Sequence, residues 1–272
     1  MSFYTSLNGL KNAQTELGVI SNNLANAETT GFKKARVNFS DLVAGAAYYS
    51  NPKLVQGIGS SVQAIDQNFS NGPTAQTGSA LDLAVNGTGL FTVKSPISGQ
   101  TNFTRNGNFS MDGSGYVNDT AGARLQILPT DAAGNVTSTT PVDALIPPVS
   151  ATTGANFAAV SIKADGSVIG AYTDGTTSLV GKVAIANFVS PGGLLQIGHQ
   201  NWQATGISGP PVYGAPGIGG RGELLSGSLE QSNVDVAEEM VGLITAQRYF
   251  QANAKAIDTQ TQVADAIINL RT

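Results

Sequence analysis

One imidazole occurs in the whole chain, His199, within Gly198-His199-Gln200-Asn201-Trp202. A lone histidine can serve as a general base when a nucleophile lies within reach. No Gly-x-Ser-x-Gly elbow accompanies this one, so a loop or packing role is expected. Gly217-Ile218-Gly219-Gly220-Arg221-Gly222 has the G-x-G-x-x-G spacing of a phosphate loop. It neither follows a strong strand nor opens a helix, so it reads as a turn. Asp112-Gly113-Ser114-Gly115 begins like a calcium loop but lacks the later ligands and the closing glutamate, which leaves a hairpin turn. Lys33, Lys34 and Arg36 form a small basic cluster, read as a solvated face or a subunit contact. Cysteine is absent, which removes disulfides, thiolate metal sites and cysteine nucleophiles. The expectation is no enzyme: no catalytic residues, no cofactor and no metal.

Composition narrows the class further. The chain has 272 residues, of which 12% are charged, about half the usual share. Glycine (33 residues), asparagine, serine and threonine replace the missing charge. A net charge of −4 argues against nucleic acid, whose phosphates require a basic face. No apolar run approaches the 18 or so residues of a membrane span, so membrane insertion is not expected. The start, Met1 to Leu7, lacks the basic and apolar regions of a cleaved secretory signal. Composition alone therefore suggests the cytosol.

These candidate residues must be carried by elements of two kinds. Near the N-terminus, Phe3, Leu7, Leu10, Gln14, Leu17, Ser21 and Leu24 recur in steps of four and three, the seam of a heptad-like helix. Ser2 is placed to cap it, and it should end near Asn26. Near the C-terminus, Val236, Met240, Leu243, Gln247, Phe250, Ala254, Ile257, Thr261, Ala264 and Ile268 repeat the pattern. Asp235 and Glu238 supply a capping-box start, with Arg271 in the last turn. About 36 residues of helix would measure roughly 54 Å, too long for a compact domain of this size.

Between them the pattern is β. Six Asn-Gly or Asp-Gly pairs, at 71–72, 86–87, 106–107, 112–113, 165–166 and 174–175, signal type I′ hairpins. The fold class is therefore α+β, mainly β with long terminal helices. The expected division is a helix over 1–32, an extended connector over 33–70, a β-rich outer domain over 71–227 and a C-terminal helix over 228–272. Pro191–Gly227 reads as irregular chain. The region 141–154, with Pro147-Pro148, is a tip loop or the place where an extra domain has been lost.

Three segments carry a specific resemblance. Ser21-Asn22-Asn23-Leu24-Ala25-Asn26-Ala27-Glu28-Thr29-Thr30-Gly31-Phe32-Lys33 is similar to the N-terminal signature of bacterial flagellar rod and hook proteins. Thr77 to Phe91, continued by Phe103-Thr104-Arg105-Asn106-Gly107-Asn108-Phe109, resembles their central motif. Ser228 to Asp235, then Gln247-Arg248-Tyr249-Phe250-Gln251-Ala252-Asn253, resembles their C-terminal one. The resemblance implies a homo-oligomer, a helical tubular polymer whose terminal helices form a coiled-coil inner domain beneath an outer layer of β domains. It implies export through the flagellar type III apparatus without a cleaved signal. Its implied partners are other axial proteins, the hook cap and the export apparatus. The family-motif positions are Asn22, Asn23, Asn26, Gly31 and Phe32.

The start and end of the chain are most similar to hook protein, while its length matches the distal rod protein, which is the alternative. A secreted β-rich enzyme using His199, or an adhesin, is the more remote reading. For the filament subunit, helix packing carries the function, with Leu7, Leu10, Leu17 and Leu24 set against Met240, Leu243, Phe250 and Ile257 within and between copies.

Overall fold

The computed structural model describes residues 2–43, 57–150 and 152–269. These divide into two units. One comprises 1–27, 33–68 and 234–272, the other 28–32 and 69–233, taken over the described residues. The fold is mainly β with one helix near each end, and all strand pairing between named strands is antiparallel.

The first unit holds helix α1 (Ser2–Ala25), strands β1 (Ala35–Val43) and β2 (Gly57–Gln67), and helix α2 (Val236–Asn269). α1 stops where the sequence expects it, one residue short of Asn26. α2 is capped by Asp235, whose Oδ1 accepts the Ala237 and Glu238 N–H groups at 2.8 and 3.2 Å. Such a cap satisfies orphan donors of the first turn and contributes about 1 kcal/mol. The Glu238 carboxylate accepts from Lys34 Nζ at 2.9 Å. Arg271 lies outside the described residues.

The expected connector over 33–70 is corrected in part. Its described residues form a bulged antiparallel ribbon, with Ala35 opposite Gln67 and Leu42 opposite Gly59. Residues 44–56 of that segment lie outside the description. Clean alternation is blurred because the register shifts at Asn38/Phe39 and again at Leu42/Val43, and a bulge resets which face each side chain takes. Lys33 is buried, not solvated as its cluster suggested.

The second unit is built of short strands. They are β3 (Thr74–Gln76), β4 (Leu83–Asn86), β5 (Leu90–Lys94), β6 (Thr101–Thr104), β7 (Phe109–Met111), β8 (Val117–Asp119), β9 (Arg124–Leu128) and β10 (Val142–Asp143). There follow β11 (Phe157–Ile162), β12 (Ser167–Tyr172), β13 (Thr177–Val183), β14 (Ile185–Asn187), β15 (Leu195–Gly198), β16 (Asn201–Gln203), β17 (Val212–Gly214), β18 (Glu223–Ser226) and β19 (Ser228–Glu230). The main sheet runs β11-β12-β13-β9-β5-β6-β16-β15, while β18 pairs with β4 and β19 with β3. Leu83, Phe91, Leu125, Ile127, Val183 and Leu224 are buried at its centre. A second cluster gathers Leu90, Phe103 and Trp202, with Phe103 edge-on to Phe188 at 4.8 Å and Phe69 to Trp202 at 5.4 Å.

Two further expectations change. Pro191–Gly227 is not irregular throughout, because it contributes β15 to β18, anchored by the buried Trp202 opposite Phe103. Of the two alternatives for region 141–154, the tip loop is corrected, since Ala144 and Ile146 are buried and β10 pairs with β9.

The turns also differ. In five hairpins, beginning at Asp112, Asp119, Asp131, Lys163 and Tyr172, the first residue's N–H bonds the carbonyl four residues on. A glycine at the fourth position takes positive φ, between 79° and 87°. This is the three-residue loop closed by a G1 bulge, not the type I′ turn expected at the Asp-Gly pairs. The aspartate stays at negative φ and only the glycine crosses to the left-handed region. Among the described residues the positive-φ non-glycines are His199 (52°) and Gln200 (53°). They form a two-residue turn with type I′ φ values between β15 and β16.

Candidate assembly elements

In the first unit the two helices run antiparallel. A Cβ placed on Gly9 would lie 2.6 Å from Asn253 Oδ1, and one on Gly242 would lie 3.4 Å from Ile20 Cδ1. Asn23 Nδ2 donates to Glu239 Oε2 at 3.1 Å. A step of eleven residues from Gly9 to Ile20 is thus matched by eleven back from Asn253 to Gly242. The buried helix residues are Ala13, Ile20, Asn23, Glu239 and Ala246. Small residues sit at the crossing because they let two backbones approach closely.

The expected leucine seam lies beside this line. Leu7, Leu10, Leu17, Leu24, Leu243, Phe250 and Ile257 are half-buried, Met240 is half exposed, and Gln14 and Gln247 face outward. The missed row, Gly9 with Ala13 and Gly242 with Ala246, is visible as small residues spaced four apart.

Asn23 ties three segments together. Its Nδ2 also donates to Ala35 O at 2.9 Å, and its Oδ1 accepts the Ala35 N–H at 2.9 Å. Asn22 is exposed, and its carbonyl accepts from Asn26 Nδ2 at 2.9 Å just past the helix end. Asn23 therefore fastens α1 to the ribbon and to α2, while the Asn26–Asn22 bond is local to the helix end.

Much apolar surface on α2 stays uncovered. Met240, Val241, Ile244 and Tyr249 are between 50% and 65% exposed. Carried to the start of α1, the antiparallel register reaches residue 260, so 261–269 have no α1 residue opposite them. Val263, Ile267 and Ile268 in that overhang are about 60% exposed.

In the second unit the other motif residues meet at one buried ion pair. Glu230 Oε2 accepts from Arg105 Nη1 at 2.9 Å, and Glu230 Oε1 accepts the Gly72 N–H at 2.9 Å. Arg105 also donates to the Val85 and Gly87 carbonyls at 3.1 and 2.6 Å. Gly31, at φ 69°, gives its N–H to Glu230 O at 2.8 Å. A Cβ there would lie 2.6 Å from Asn106 N, so only glycine fits. Phe32 beside it is buried. Parts of all three motifs thus converge on Glu230, which sequence spacing gave no means of seeing.

The residues singled out for chemistry sit apart. His199 is exposed at its hairpin tip. Around Gly217–Gly222 the Arg221 guanidinium folds back onto the carbonyls of Ile218, Val212 and Tyr213, and strand β18 follows. Asp112 closes its own turn by accepting the Ser114 and Tyr116 N–H groups, both at 2.9 Å. Among the described residues, no group of three or more His, Asp or Glu is placed to hold a metal. No described helix is long and apolar enough to cross a membrane.

Three family models match the chain. "Flagella basal body rod protein" covers residues 3–33, "Flagellar hook protein FlgE/F/G D1 domain" covers 84–170, and "Flagellar basal body rod FlgEFG protein C-terminal" covers 225–270. The chain is 36% identical to the flagellar basal-body rod protein FlgG of Bacillus subtilis, over 99% of this chain and 98% of the relative. It is 34% identical to FlgG of Caulobacter vibrioides, over 98% of each. It is 28% identical to the flagellar hook protein FlgE of Escherichia coli, over all of both, in an alignment 411 positions long.

Proposed function

The chain belongs to the flagellar rod and hook family of axial structural proteins, and on that premise we propose that its copies self-assemble into the tubular hook, which joins rod to filament and transmits torque. The observation that carries this reading is the uncovered apolar surface of α2, above all the overhang with Val263, Ile267 and Ile268. Burying such half-exposed side chains contributes about 1–2 kcal/mol each, so a neighbouring copy that covers them is strongly favoured. In this account the terminal helices complete a coiled coil across copies. Met240 and the outer halves of Leu243, Phe250 and Ile257 meet neighbours, as do Leu7, Leu10, Leu17 and Leu24. Export proceeds through the flagellar type III apparatus, with other axial proteins and the hook cap as partners.

One observation favours the distal rod as a second reading. The rod relatives align over nearly the length of this chain, whereas the hook alignment needs 411 positions, as though an outer domain were missing, and region 141–154 is the proposed place for it. Electron micrographs of envelope-attached basal bodies, labelled with antibody to this chain, separate the two. A curved external tube carrying the label supports the hook. A short straight label within the envelope supports the rod, and diffuse label outside any tube overturns both.

A further inference from the structure

Asparagine before glycine is the dipeptide most prone to modify itself. The glycine nitrogen attacks the asparagine side-chain carbon, and glycine has no side chain to hinder the closing ring. The β unit holds three such pairs, at 71–72, 86–87 and 106–107. Two are shielded directly. The Gly72 N–H is held by Glu230 Oε1 at 2.9 Å. Asn106 and Gly107 are buried, and Asn106 Oδ1 accepts the Asn108 N–H at 3.1 Å. Asn86 differs. It ends β4, it is exposed, and no described group bonds its side-chain amide. Exchanging Gly87 would not remove the hazard without cost. It sits at φ 121°, and a Cβ on it would lie 2.8 Å from Gly222 Cα.

The Asn71 side chain restrains this pair. Oriented by its hydrogen bonds, its Oδ1 accepts the Gly87 N–H at 2.6 Å and its Nδ2 donates to Gly87 O at 3.0 Å. Arg105 Nη2 donates to the same carbonyl at 2.6 Å. Attack requires the Gly87 nitrogen to give up its proton and to turn toward Asn86 Cγ. The clamp holds that proton on Asn71 Oδ1 and fixes the peptide groups on both sides of Gly87.

We propose that Asn86 is a latent deamidation site and that Asn71 keeps it unreacted. In the reaction a bond forms from Gly87 N to Asn86 Cγ and the Cγ–Nδ2 bond breaks. The leaving nitrogen takes the proton from Gly87 N and departs as ammonia. Water then opens the cyclic imide to aspartate or isoaspartate, with no redox change. Either product sets a carboxylate opposite Glu223, the β18 partner of Asn86, and like charges directly opposite destabilise a strand pair. Isoaspartate also lengthens the backbone by one carbon, which spoils pairing at that end of β4.

Full-length wild type, Asn71→Ala, and Asn71→Ala combined with Asn86→Gln are incubated folded at mildly alkaline pH. Each is then digested and read by mass spectrometry for amide-to-acid conversion at each site. Loss of the clamp raises the rate at Asn86 about tenfold or more, the scale of two lost hydrogen bonds, while Asn106 stays unchanged. The combined variant shows no conversion at position 86, because glutamine closes its larger ring far less readily. Asn106, buried in the same unit, reports any unfolding. An equal rise at Asn86 and Asn106 means protection by the fold as a whole and overturns the role of Asn71. A wild-type rate at Asn86 as fast as that of Asn71→Ala overturns it as well. No conversion at Asn86 in Asn71→Ala overturns the latent site.

Discussion

Arg105 Nη1 and Glu230 Oε2 lie 2.9 Å apart with side chains 3% and 1% exposed, although 125 residues separate them in sequence. A buried ion pair returns its desolvation cost only when its remaining donors and acceptors are met. Here the Val85 and Gly87 carbonyls and the Gly72 N–H do most of that. Removing one partner leaves a bare buried charge. Arg105→Met and Glu230→Leu should each destabilise the β unit by about 3–5 kcal/mol in urea unfolding. The double variant should recover only part of the loss, because the Val85, Gly87 and Gly72 backbone groups stay unmet. Additive losses would show that the pair is not coupled.

Asn23 is the corresponding tie in the helical unit. Asn23→Ala removes two bonds to Ala35 and leaves the buried Glu239 carboxylate without its amide donor. A loss of about 2–4 kcal/mol is expected, since unmet buried polar groups cost about 1–3 kcal/mol each. Circular dichroism during thermal unfolding measures it. A shift within error of zero would contradict the buried position assigned to Asn23.

The His199-Gln200 turn stores backbone strain, because side chains disfavour the left-handed region that both residues occupy. Gln200→Gly should therefore raise stability by about 1 kcal/mol, the usual scale for a strained non-glycine residue. Denaturant midpoints compare the two proteins. A loss of stability would show that the turn is built differently.

Acid should weaken the hairpin turns in a definite window. The Tyr116 N–H holds the Asp112 carboxyl below its ordinary range, and the Asn135 N–H does the same for Asp131. A depressed folded value means that the stabilisation is present above the unfolded value, about 3.9. It is lost as pH falls through the folded one. Asp131→Asn keeps an acceptor oxygen but not the charge. Its stability deficit relative to wild type, read from urea midpoints, should shrink between pH 5 and pH 2. A constant deficit would place the effect elsewhere.

Much of the helical part is legible in the sequence. Spacing of apolar residues located both helices, and Asp235 marked the start of α2. The seam was displaced by about one residue, because apolar periodicity finds the greasy stripe. Close antiparallel approach is set instead by Gly9, Ala13, Gly242 and Ala246. The Asp-Gly pairs mark hairpins in the β unit, as at Gly166 and Gly175, whereas the Asn-Gly pairs do not: β4 and β5 flank Asn86-Gly87, and β6 and β7 flank Asn106-Gly107, without pairing to each other. The turn type at the Asp-Gly pairs was missed because dipeptide identity does not report loop length. The Glu230 junction was illegible, since contacts over such separations leave no local period.

The central claim is that the α2 overhang is covered by neighbouring copies in an axial polymer. Amide hydrogen exchange over residues 261–269, measured in the monomer and in the assembled polymer, tests it most directly. The account predicts rates at least a hundredfold slower in the polymer. Equal rates in the two states would contradict it.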